Sequence, residues 1–173
     1  MTLTKNKYYF EALDNYPYSL PSCLEALNYA LSYDPEDADS LCLMGRIYSE
    51  MLFDYEKAKL YFEEAMQCNI SNLNTPQYHI KCLLDNEDLD DAEKLIDYSL
   101  KIKGIDKSRI LIHQSLLFEI RLEYKQALKP LKLARTFAYD QCMLDFLKSR
   151  EKFIKSKMSQ KNKKKIIEKK KNH

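Results

Sequence analysis

The chain has 173 residues, with 28 basic side chains against 26 acidic ones and a net charge of +2. Two Gly and five Pro leave little material for the turns of an all-β fold, whereas abundant Leu, Ala, Lys, Glu and Tyr favour helices. No apolar run approaches the length that spans a bilayer, and the N-terminus MTLTKNKYYFEALDN holds no signal-peptide core, so a cytoplasmic protein is expected. Five widely spaced cysteines without a CxxC pair fit free thiols in a reducing compartment.

In chain order, a first helix is expected from Lys5 to Asn15, with Tyr8, Tyr9, Phe10 and Leu13 as buried candidates. After Tyr16-Pro17-Tyr18, a second helix runs from Pro21 to Tyr33, and Pro35 stops it. The stretch 38–72 reads as a helical hairpin, Leu41, Met44, Gly45 and Tyr48 facing Ala58, Phe62 and Ala65 across the turn at Phe53-Asp54-Tyr55. A third pair, 73–106, opens on Pro76 with Asn74 or Thr75 as a cap and carries His79, Ile80 and Leu83, then Ala92 and Ile96. The fourth, 107–139, carries Ile110, His113, Gln114 and Leu117, then Ala127 and Leu131. Its Gln114 replaces the small Gly45 and should push the paired helices apart, and Pro130 predicts a kink or a late helix start. A capping helix follows at 140–156, with Phe137, Cys142, Leu144, Phe146, Leu147 and Phe153 as its apolar candidates. The end, 157–173, reads as a Lys-rich tail, disordered or a frayed helix. Twelve basic and two acidic residues fall from Lys148 onward; the remaining 16 and 24 give the part in front about −8.

The four pairs share a register. Cys23, Ala58, Ala92 and Ala127 are spaced by 35, 34 and 35 residues, each followed four residues later by Leu27, Phe62, Ile96 or Leu131. Ala30, Ala65, Ser99 and Ala134 repeat the same spacings, as do Leu20, Tyr55, Leu89 and Tyr124. The extra residues are expected in the turns at Met51–Asp54 and Arg121–Glu123. With Leu41-x2-Met44-Gly45-x2-Tyr48 and Ala58-x3-Phe62, the pattern resembles the tetratricopeptide repeat (TPR), W-x2-L-G-x2-Y then A-x3-F then P, with Ile70 where the closing Pro belongs. The resemblance covers roughly 5–139. It implies an all-α right-handed superhelix, an α-solenoid of about four TPR-like helix pairs plus a C-terminal capping helix.

No phosphate loop, GxSxG, HExxH or metal-spaced Cys pair is present; no cofactor or metal is expected, and a non-enzymatic scaffold or adaptor is. His79 and His113 share a column and read as partly buried, hydrogen-bonded residues rather than metal ligands. The acidic run from Asp85 to Asp91 lacks a calcium loop's Gly and distal Glu and reads as helix capping.

The resemblance implies a concave face, built from the first helix of each pair, that holds a partner segment. Its residues here are Cys42, Leu43, Arg46, Gln77, Tyr78, Lys81, Leu111, Ile112 and Ser115. Outward Tyr and Ile call for a cover, and adjacent Arg46 and Lys81 can hold a carboxylate, so the partner is expected to be a short extended or helical segment with apolar and acidic groups. The alternative is that these residues touch the chain's own extensions. The family's chaperone-tail clamp is not matched, since its places hold Cys42, Tyr78, Ser108 and Ile112. Small secretion chaperones share the size and architecture alone. Lys163, Lys164, Lys165, Lys169, Lys170 and Lys171 form an electrostatic patch suited to nucleic acid or anionic lipid; a solubilising tail is the plainer reading.

Overall fold

Small residues at fixed intervals let helix backbones approach closely, and that spacing governs the packing. A computed structural model describes residues 7–69 and 72–171, with side chains to residue 159. Among the described residues there are nine α-helices, one short 3-10 segment and no strand: α1 (Lys7–Asn15), α2 (Leu20–Tyr33), α3 (Ala38–Glu50), α4 (Tyr55–Cys68), α5 (Thr75–Asp85), α6 (Leu89–Ser99), α7 (Lys107–Ile120), α8 (Tyr124–Ala134) and α9 (Gln141–Lys171). The fold class is the expected all-α solenoid of consecutive helical hairpins. The chain divides into two compact units, Met1–Asp88 and Leu89–His173, so the break falls between α5 and α6.

In the first unit, α1 pairs with α2 and α3 with α4, while α5 packs on both α3 and α4. In the second, α6 packs on α7, α7 pairs with α8, and α9 lies on α8. The repeated columns are the core. Cys23, Ala58, Ala92 and Ala127 are fully buried, as are Leu27, Phe62, Ile96 and, nearly, Leu131. Each large side chain so placed contributes about 1.5–3 kcal/mol relative to exposure. Gly45 shows why the register matters, because a Cβ there would stand 2.8 Å from Cδ1 and Cε1 of Phe62.

Caps fix the helix starts. Asp37, Asp54 and Asp106 accept hydrogen bonds from the backbone N–H of Ser40, Lys57 and Arg109, each at 3.2 Å. A cap of this kind is typically worth about 1 kcal/mol. At α5 neither Asn74 nor Thr75 caps through its side chain; Asn72 Oδ1 accepts from the N–H of Asn74 and Thr75 instead, while its Nδ2 donates to Asp39 on α3.

Three turns between first and second helices place Phe53, Glu87 and Leu122 at φ 55°, 61° and 61°. At Glu87 and Leu122 the next N–H bonds back to Leu83 and Phe118, five residues earlier, which closes the helix end. At Phe53 the bond from Asp54 N–H reaches Tyr48, six residues back, so the first extra residue does sit in the Met51–Asp54 turn. The second does not sit at Arg121–Glu123, a turn no longer than that at 86–88; it is a residue of α7 itself.

Other expectations are corrected at the chain's edges. Phe10 and Leu13 are exposed because α1 has neighbours on one side only; Ala12 is its buried residue. α8 starts at Tyr124 with Pro130 inside it, so no late start occurs. On α9 the buried positions are Leu147, Glu151 and Ile154, while Cys142, Phe146 and Phe153 face solvent, as does Phe137 before it. The side chains of Lys163, Lys164, Lys165, Lys169, Lys170 and Lys171 lie outside the described residues.

Candidate functional site on the first helices

Helices flanked on both sides keep few side chains free, and this decides which expected groove residues remain available. α3 is buried at nine of its thirteen positions. Leu43 packs with Ala12, Cys23, Leu27 and Ile47, and Cys42 with Leu41, Ala58 and Phe62. Gln77 on α5 is buried, as are Leu111 and Ser115 on α7. These five side chains are buried within the chain itself. Arg46, Tyr78 and Ile112 are half-buried and Lys81 is exposed, so they keep the accessible part of the face.

In the first unit the centre is Arg46. Its guanidinium lies 4.5 Å from the ring centroid of Tyr16 and 4.3 Å from that of Tyr78. Such stacking stabilises a partly desolvated cation by about 0.5–2 kcal/mol. Tyr16, just past α1, donates its hydroxyl to Glu50, and Arg46 Nη2 stands 3.7 Å from the same Glu50 oxygen. Burial, then the bond to Glu50, pushes the Tyr16 phenol up to about 12. Arg46 Nε is buried without a hydrogen-bond partner. The guanidinium is therefore flanked by two rings, with 20% of the side chain left exposed. Tyr9 and Cys42 lie in the same field, their pKa values raised mainly by burial.

Sequence reasoning missed an acidic column that accompanies this face. Glu50, Asp85 and Glu119 follow one another at 35 and 34 residues, the spacing of the core columns. Glu50 pairs with Arg46 and Asp85 with Lys81, each across one helical turn. In the second unit Ser115 stands where the cation would be, and α9 supplies it: buried Glu119 binds Arg150 through one oxygen and Lys157, at 2.5 Å, through the other. The spacing alone could have exposed this column; the hydrophobic pattern could not. Tyr16 had no signal, because it belongs to a turn.

The remaining candidates are structural. His79 stacks on Phe62 at 5.5 Å, and His113 is half-buried on α7. Within the acidic run, Asp88 pairs with Lys59 at 2.9 Å, and Asp90 and Asp91 occupy the first turn of α6, where the helix dipole favours them. Among the described residues no group of three His, Cys, Asp or Glu is placed to hold a metal ion, and no helix is long and apolar enough to cross a membrane.

No family model and no curated protein sequence matches the chain. A solved structure does: pilF of Pseudomonas aeruginosa, from a functional characterization of that protein, aligns with a TM-score of 0.72 at 14% identity over 89% of this chain and 72% of that one. At that identity the likeness is one of fold, and it agrees with TPR-like helical repeats.

Proposed function

We propose that the chain is a non-enzymatic interaction scaffold, a cytoplasmic adaptor that holds a partner protein against the first-helix face of its first unit. TPR-like hairpins support a protein partner in general; the observation that carries the specific reading is Arg46. Two tyrosine rings flank its guanidinium, 20% of its side chain stays exposed, and its paired carboxylate, Glu50, stands 3.7 Å away, beyond hydrogen-bond reach. A cation pre-set in this way matches a planar acceptor, a carboxylate or a backbone carbonyl, on an extended or helical segment. Tyr78 offers apolar surface beside it, and Lys81 a second cation one turn on. Because Glu50 and Asp85 already balance the two cations, recognition rests on geometry and apolar anchoring more than on net charge. Ile112 gives the second unit a similar apolar position.

The test is to capture partners with the full chain, identify them, and titrate the identified segment against the wild type, Arg46→Lys, Arg46→Glu and Lys81→Glu. Arg46→Lys keeps the charge and loses the planar stack, and is expected to weaken binding about tenfold or more. Unchanged affinity in both Arg46 variants rejects the site.

A further inference from the structure

α9 has two contrasting sides. Leu147, Glu151 and Ile154 are buried against the rest of the second unit. On the far side, at the 3.6-residue period, Cys142, Phe146 and Phe153 form an uncharged exposed strip, with both phenylalanines 47% exposed. Lys148, Lys152 and Lys155, all exposed, border the strip on one side, where Lys148 pairs with exposed Asp145 at 3.1 Å and Lys155 stands 3.8 Å from Glu151; Arg150 and Lys157 border it on the other. The second pair is held in place, since both cations bind Glu119 and both lie over the Phe153 ring, at 5.3 and 4.6 Å from its centroid. From Lys148 onward the sequence carries twelve basic residues against two acidic ones.

Aromatic side chains in a strip with cations on both margins are the arrangement of a helix that lies in a membrane interface: the rings enter the headgroup region while the cations meet lipid phosphates and carboxylates. We propose that the outer face of α9 docks on an anionic lipid surface, lying along it rather than crossing it. Nucleic acid fits less well, because stacking needs an open ring face and that of Phe153 is taken by Arg150 and Lys157. This inference is independent of the Arg46 face.

The experiment is co-sedimentation of the full-length protein with phosphatidylcholine vesicles, with and without phosphatidylserine, at low and high salt. Binding is expected to the anionic vesicles only and to fall steeply with salt. Phe146→Ala with Phe153→Ala should weaken it about tenfold. Lys148→Gln, Lys152→Gln and Lys155→Gln together should weaken it on the order of 100-fold. Circular dichroism melts verify that both variants stay folded, and the lysine variant, whose side chains face solvent, keeps the test open should the aromatic one not fold. The proposal is overturned by equal sedimentation with neutral vesicles, by none with anionic ones, or by a folded aromatic variant that binds as the wild type does. Binding to a single-stranded RNA homopolymer without vesicle binding, or to an acidic protein alone, overturns it as well.

Discussion

Replacing Gly45 by Ala sets two effects of known size against each other. In a helix interior Ala is favoured over Gly by about 0.8–1.0 kcal/mol. Against this, the new Cβ would stand 2.8 Å from two atoms of the Phe62 ring and 3.1 Å from a third. Comfortable carbon contacts lie at about 3.5–4.0 Å, so the ring must retreat by about 0.7 Å or more. It has little room, being fully buried and stacked on His79 at 5.5 Å. Overpacking of this kind costs about 1–3 kcal/mol, which leaves a net destabilisation of about 1 kcal/mol, a fall in Tm of about 2–4 °C for a chain of this size. The decisive measurement is a double-mutant cycle followed by urea and thermal unfolding, with Gly45→Ala made in the wild type and in Phe62→Leu. Once the ring is gone the same substitution should become stabilising, and the change of sign isolates the steric contact. If Gly45→Ala stabilises both backgrounds alike, the close approach of α3 and α4 is not what Gly45 provides.

Two further outcomes follow from local chemistry. Glu87 is exposed and sits at φ 61°, where an L side chain is strained, so Glu87→Gly should stabilise by about 0.5–1 kcal/mol, read as a rise in urea midpoint; a fall refutes the helix-end assignment. A hydrogen bond from Lys59, then one from Asn86, holds the Asp88 carboxyl below its ordinary 3.8. A lowered acid pKa means the folded state releases its proton more readily, so the contribution is complete above about pH 4 and fades as pH falls through the lowered value. The Tm gap between wild type and Asp88→Asn should therefore narrow in acid, and a gap that holds constant to low pH contradicts the pairing.

The sequence reveals the second helices far better than the face of the first ones. The positions of Ala58 and Ala65 recur as small residues because backbones approach closely there, so the constraint is written at single positions. Cys42, Leu43, Gln77, Leu111 and Ser115 were legible as first-helix residues but not as buried ones. A first helix that packs on more than one neighbour, as α5 does on α3 and α4, buries an arc wider than one face, and periodicity does not say where that arc ends. Phe10 and Leu13 fail in the opposite direction, since a terminal helix lacks one neighbour. Arg46 could be picked from its column, but its partner Tyr16 lies in an irregular turn without periodicity. Glu119 reads as an ordinary surface acid until α9 brings Arg150 and Lys157 to it.

Lys59 on α4 binds Asp88 in the turn after α5, and Glu93 on α6 binds Arg121 in the turn after α7, so in each unit a second helix is clasped to the turn that ends the next first helix, once through each sign of charge. Each tie, partly open to water, adds little to stability. Its use is in alignment: the contact forms only when the second helix and the turn that follows it stand at one offset along their axes. The clasp thus works as a stop against sliding, a role that a small contribution to stability does not measure.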